Sequence, residues 1–334
     1  MRTRIRRTFF LFAVFASVAV GLAQKPPPRP KVHSEFSFGS YPSSREAIGL
    51  MSKEKNRYLI VAFHEGWSFD KVGKELKISD DEVDKLFSDL DSEKLAGENQ
   101  DNDPRPNIPV IREKDIERIK GNLKKHSEEF AKIVEGNWSQ IEAMAASLNG
   151  AKGVPREQLM YQIVVSGILL GGMYDAFYED KTMIPPGPKR GRGQRYFGWL
   201  VEGDPRYAGR IQREEGLSDG NMIVTVGESL PKVRPSLDDI RMNRGMILDE
   251  AESRRFRSFV AVFCKDKLMP YFKTNRNGLL KEATLMSASR YSAFAEFLAW
   301  YYNQMVNNTV DEIVAAKRMQ APADQFAYAV KSVQ

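Results

Sequence analysis

Residues 158 to 174 read QLMYQIVVSGILLGGMY, seventeen consecutive positions without a charge. A helix that is apolar all round has to be enclosed, either by lipid or by the rest of the protein. Seventeen residues rise about 25 Å, short of a hydrocarbon core of about 30 Å. Gln162 lies inside the stretch, and Glu157 and Asp175 bracket it. The stretch is therefore expected to be a buried core helix rather than a membrane span. Gly167 and Gly171 form a GxxxG spacing that lets a neighbouring helix approach closely.

Helical signals dominate elsewhere too. Residues 113–148 carry Ile116, Ile119, Leu123, Phe130, Ile133 and Val134 at helical spacing. Residues 156–178, 236–262, 279–307 and 309–319 also read as helical, with Ser236 as an N-cap and Asp239 at N3. The aromatic run Phe294, Phe297, Trp300, Tyr301 and Tyr302 reads as core. Strand signals are few: YFGWLV at 196–201 and NMIVTV at 221–226 are the best. The expected fold class is mainly α, with a small β-hairpin in a helical C-terminal domain spanning 113–334.

The first 23 residues constrain location. Arg2, Arg4, Arg6 and Arg7 precede an apolar stretch from Phe9 to Ala23, and Gly21 and Ala23 sit where a cleavage site wants small residues. That is the pattern of a secretory signal peptide, so the chain is expected to be exported to the periplasm or beyond. The formal charge is +6, and removing those four arginines leaves +2. The overall basicity is therefore no argument for nucleic-acid binding. Cys264 is the only cysteine, which precludes an intramolecular disulfide; in an exported chain of this size it points to a bacterial envelope protein. Residues 24–43, opening QKPPPRPKV, read as a proline-rich linker, with order expected to begin near Ser44. Further breaks fall at 97–109 and 179–195.

Between 44 and 112 the local signals agree with one another. Ser68 is placed to cap one helix, with Trp67 and Val72 as a staple. Ser79 to Glu82 form a capping box for the next, with Ile78 and Val83 as its staple. Val83, Leu86, Phe87 and Leu90 line one face, and YLIVAF at 58–63 supplies a third helix. Leu95 and the segment Ile108 to Ile111 are placed to lead into a short wing. This stretch resembles the winged-helix family of helix-turn-helix domains, in which the second helix of the motif reads DNA. Here that helix is SDDEVDKLFSDLDSE, with seven acidic residues and a single lysine, Lys85. Phosphate contacts want Lys or Arg, and base-reading positions want Arg, Asn or Gln, so the resemblance implies the fold without the DNA function.

Motifs for chemistry are sparse. His33, His64 and His126 are scattered, and HEGWS at 64–68 lacks the second histidine of a zinc-protease helix. No phosphate-binding loop or nucleophile elbow occurs, and Cys264 reads as a buried thiol. No cofactor or metal is implied. Carboxylates are abundant, which leaves an envelope hydrolase with paired acids as an alternative. A DNA-binding regulator, kept inside by an uncleaved N-terminus, is a second. The one surface feature that stands out is the segment from Lys181 to Arg213, with eight cations against two acids. Within it Lys189, Arg190, Arg192 and Arg195 lie in a Gly/Pro context expected to keep them exposed. They are the candidate site for an anionic envelope component, whether lipid, peptidoglycan or an acidic protein. The reading is a non-enzymatic binding or scaffolding protein.

Overall fold

The computed structural model describes residues 35–42, 44–181, 183–209, 211–216, 221–227, 236, 238, 240, 245–286, 294–321 and 326–331. The N-terminal signal pattern, His33 and Asp239 lie outside them. Contacts group Glu35–Gln334 as one unit. The protein is mainly helical.

The chain enters through strand β1 (Phe36–Tyr41) and four short helices, α1 (Arg45–Met51), α2 (Glu54–His64), α3 (Phe69–Leu76) and α4 (Asp80–Ser92). The caps fall where the serines are. Ser68 Oγ accepts from Lys71 N, and Ser79 Oγ accepts from Glu82 N at 3.3 Å. Only half of the expected capping box forms, because Glu82 turns instead to Lys55, 2.5 Å away. Helix α3 ends at Lys77 in the left-handed conformation (φ 55), which breaks the chain before α4. Leu59 to Phe63 of α2, Val72 of α3, and Val83 and Leu90 of α4 are buried together. Leu86 and Phe87 are half-buried, and Phe87 packs edge-on against Phe63 and Phe69.

A hairpin follows, β2 (Ala96–Glu98) paired with β3 (Pro104–Pro106). It lies inside the segment expected to be a break, since Asn99 Oδ1 accepts from both Asp101 N and Asp103 N and closes the turn. The next strand, β4 (Val110–Ile111), does not extend this hairpin. It pairs in parallel with β5 (Phe197–Glu202), whose other edge takes β1 in antiparallel register.

Three expectations need correction here. Order begins before Ser44, because β1 occupies part of the supposed linker. Phe36 and Tyr41 are the reason: both bury their rings. The strand segments at 196–201 and 221–226 do not pair with each other, and the C-terminal part holds more β structure than one small hairpin. They sit in separate sheets, the second holding β6 (Ile211–Gly216), β7 (Asn221–Gly227), β9 (Phe326–Lys331) and β8 (Ile247–Leu248) in the order β6-β7-β9-β8. The helices expected at 279–307 and 309–319 are divided differently as well: Asn308 and Thr309 continue one helix without a break.

Further α-helices among the described residues are α5 (Glu113–Gly136), α6 (Trp138–Ala146), α7 (Arg156–Tyr161), α8 (Met173–Asp180), α9 (Glu250–Phe263), α10 (Met269–Leu285) and α11 (Phe294–Ala315). Between α7 and α8, Gln162–Gly172 winds as a π-helix. The run Arg156–Asp180 is long and apolar enough to cross a membrane, and nearly all of its most apolar 18-residue stretch is buried within the protein. Carbonyls in the π segment take side-chain partners from three directions. Ile168 O accepts from Cys264 Sγ, Leu169 O from Tyr302 Oη at 2.5 Å, and Leu170 O from Tyr41 Oη. Phe130, Phe177, Phe272 and Tyr302 pack ring to ring around it.

The π winding also brings two glycines against a neighbouring helix. Bonds running from i to i+5 bring positions five apart onto one face. Gly167 and Gly172 meet α9. A methyl on Gly167 would lie 3.1 Å from Phe256 Cε1, and one on Gly172 would lie 2.8 Å from Cys264 Sγ and collide with Val260. Gly172→Ala is therefore expected to destabilise by about 1–3 kcal/mol through overpacking. Val260→Ala should recover part of that loss in a double-mutant cycle read by urea melts. Purely additive effects would mean the two sites do not touch.

Candidate functional site

The basic loop is a built turn. Lys189 and Arg195 pair as an antiparallel bridge, Arg190 N donates to Gln194 O at 2.7 Å, and Gly191–Gly193 forms a tight helical turn. Arg192 adopts the left-handed conformation (φ 51) and Gly193 has φ 75. Across a paired bridge, alternate side chains point to opposite sides. This separates the four expected site residues: Lys189, Arg192 and Arg195 are exposed, whereas Arg190 turns inward and is 3% exposed.

Arg190 is thus a correction to the expected site. Its guanidinium pairs with Glu296 of α11 at 2.5 Å and donates to Lys94 O at 2.5 Å and Tyr196 O at 3.3 Å. It also stacks over the Tyr196 ring. Burial pushes the Glu296 carboxyl up to about 7, with Arg190 acting against the rise. The Gly/Pro setting does not leave Arg190 exposed, because the tight turn that it permits sends this side chain into the protein.

The exposed cations have neighbours. Arg195 Nη1 donates to Gly187 O at 2.9 Å, and Arg192 lies 3.7 Å from Glu46. A backbone hydrogen bond holds the Glu46 carboxyl below its ordinary value, helped by Gln194, Arg192 and Arg45. Gly191 packs closely on the Glu93 carboxylate, which would have to swing aside for a side chain there. The tip is therefore seated against α1 and the end of α4. On α4 itself Asp80, Asp81, Asp84 and Asp91 are exposed, with Lys85 among them.

A second arginine does for α5 what Arg190 does for the tip. Arg112, at the N-cap of α5, is buried between Glu65 at 3.0 Å and Glu202 at 2.9 Å. It joins the end of α2 to the end of β5.

Away from the tip, α5 and α11 flank a groove of about 300 Å³. Lys120, Lys124 and Ser127 contribute from α5, and Gln304, Asn307 and Asn308 from α11. The turn Pro205–Ala208 completes it with Arg206 and Tyr207. Trp300 Nε1 and Gln304 Nε2 both donate to Tyr207 O, at 3.0 and 2.9 Å, and Asn307 Nδ2 donates to Arg206 O at 3.1 Å. Asn307 is 8% exposed, yet its carboxamide oxygen has no hydrogen-bond partner. Sequence reasoning missed this groove. The signal was present as NQMVNN inside a helix otherwise read as core.

Titratable groups gather at one further place, among α5, α10 and α11. Tyr271 Oη lies 2.5 Å from His126 Nδ1 and donates to Glu129 Oε2 at 3.0 Å, and His126 Nε2 lies 3.6 Å from Glu282. Burial pushes the Tyr271 and Tyr301 hydroxyls up. None of these residues lines the groove. Among the described residues no cluster of three or more His, Cys, Asp or Glu is arranged to hold a metal. His64 closes α2, where burial lowers its pKa, and Cys264 is a buried thiol pushed up by burial.

No protein-family model, curated protein or solved structure matches this chain.

Proposed function

We propose that the chain is an exported, non-enzymatic binding or scaffolding protein of the bacterial cell envelope, which engages an anionic envelope component through Lys189, Arg192 and Arg195. The observation that carries this reading is the construction of the tip. A buried Arg190 anchors it from below while three cations stand exposed on a turn of a few residues. A charged surface that is already ordered loses little entropy on binding. The Arg-rich, then apolar, N-terminus supports export. Mass spectrometry of protein from the native host is expected to find a mature chain beginning near Gln24.

Residues 44–112 are proposed as a winged-helix-like module. The succession α2, α3, α4 and hairpin supports this, as does the left-handed break at Lys77 between the last two helices. The exposed aspartates of α4 argue against a duplex as its partner, because like charge would meet phosphate at close range.

The test is co-sedimentation of the full chain with anionic vesicles and with peptidoglycan. Replacing Lys189, Arg192 and Arg195 together by Gln is expected to weaken binding about tenfold or more, or 1.4 kcal/mol upwards. The thermal melt should barely move, since exposed ion pairs are worth about 0–1 kcal/mol. Binding should also fade toward about 0.5 M salt. Equal sedimentation of both proteins would remove the tip from the account, and tight duplex binding would restore the regulator.

A further inference from the structure

Helix α9 passes through a π turn at Cys264–Leu268 directly into α10, so residues 250–285 form one unbroken helix, about 54 Å long. Its inner side packs on the protein, where Phe256, Val260, Phe272 and Leu279 are buried. Its outer side is exposed at helical spacing, from Arg254 through Ser258, Val262 and Asp266 to Lys273 and Lys281. Between Arg254 and Lys281 the sequence holds eight Lys or Arg and one acid, Asp266. That is a denser excess of positive charge than the segment 181–213 carries. The protein itself takes up only part of it. Arg254 pairs with Glu250 at 3.4 Å, Arg255 lies 3.9 Å from Glu252, and Lys273 pairs with Asp180 at 2.7 Å. Arg257, Lys265, Lys267 and Lys281 are exposed and form no ion pair among the described residues.

A run of like charge is usually no more than a solvated face, but here a second observation coincides with it. Among the described residues three large apolar side chains are exposed, Tyr178 at 44%, Val262 at 59% and Leu285 at 50%. Val262 and Leu285 are on this helix, and Tyr178 is on α8, whose last residue, Asp180, meets Lys273. A soluble polyanion offers such groups nothing. A bilayer interface takes cations at its phosphates and apolar side chains just beneath them. We propose that this face docks the protein on an anionic bilayer surface, with Arg257, Lys265, Lys267 and Lys281 on lipid phosphates and Val262 set among the headgroups. The proposal does not rest on the tip, which belongs to other elements.

The experiment is flotation of the full chain with vesicles of phosphatidylglycerol and phosphatidylcholine in equal parts, beside vesicles of phosphatidylcholine alone. It is run on wild type and on the variant lacking Lys189, Arg192 and Arg195, so that failure of the tip and failure of the helix are read separately. Whatever the tip contributes, its variant is expected to float with the anionic vesicles and not with the neutral ones. Adding Arg257→Gln, Lys265→Gln, Lys267→Gln and Lys281→Gln should weaken that binding about a hundredfold or more, with the melt barely moved. Val262→Ser leaves the charge unchanged and should weaken it about threefold to tenfold, which keeps the test decisive if the fourfold variant fails to fold. The proposal is overturned if the tip variant does not float with anionic vesicles, or if the four Gln substitutions leave flotation unchanged. It is overturned too if Val262→Ser binds as its parent does, because the face would then be a site for soluble polyanions rather than for a membrane.

Discussion

Replacing Arg190 by alanine is expected to destabilise the protein by about 3–5 kcal/mol, a large part of the 5–15 kcal/mol typical of a folded domain. The loss is not that of one attraction. Glu296 would keep its burial and lose its counter-charge, and Lys94 O would lose a donor. Replacing both partners by apolar residues, Arg190→Met with Glu296→Leu, should cost much less, because no stranded charge is left behind. The effect should also depend on pH in a definite direction. Without Arg190 the Glu296 carboxyl is raised further above its unfolded value, so the folded variant holds a proton that the unfolded chain releases. That stability is fully present below the unfolded carboxyl pKa, near 4.5, and is lost as pH rises through the folded one. Urea melts should therefore show a smaller deficit at about pH 5 than at about pH 7.5. A deficit that is small and independent of pH would mean that Arg190 and Glu296 do not form a buried pair.

Removing β1 should have an effect at least as large. A chain beginning at Ser44 is expected to lose about 5 kcal/mol or more relative to one beginning at Glu35, since deleting each buried aromatic costs about 3–5 kcal/mol. Phe36 and Tyr41 are both 7% exposed. Tyr41 also stacks on Tyr174 and donates to Leu170 O in the π segment. Six residue pairs to β5 would go with them, leaving the strand that carries Trp199 with an open edge. Comparison of the two chains by thermal melt and soluble yield is sufficient. Equal melting temperatures would show that β1 is dispensable.

These two cases mark the boundary of what can be read along a chain. Local chemistry was legible: Ser68 and Ser79 cap helices as their positions suggested, and the apolar run at 158–174 is enclosed. The aromatic run ending in Tyr302 is core, apart from a half-buried Phe294. Partnership across long separations was not legible. FSFGSY looked like loop because its serines and glycine are turn-formers, yet Gly39 is glycine because the Trp199 indole and Ala208 O leave no room for a side chain. Arg190 looked exposed because nothing nearby in sequence announces Glu296, which lies 106 positions away. The groove hid for a related reason: Gln304, Asn307 and Asn308 read as interruptions of an apolar face until α5 and the Pro205–Ala208 turn come beside them.

The grip of α11 on that turn bears on how the molecule opens. Trp300, Gln304 and Asn307 recur at i, i+4 and i+7, one line along the helix, and all three hold carbonyls of Arg206 or Tyr207. Rotating or sliding α11 by one residue would break all three bonds together, so the contact admits no intermediate slippage. Hydrogen exchange should then find the inward amides of α11 and those of the strand preceding the turn released in a single cooperative step, at one common free energy, rather than fraying progressively from the end of the helix.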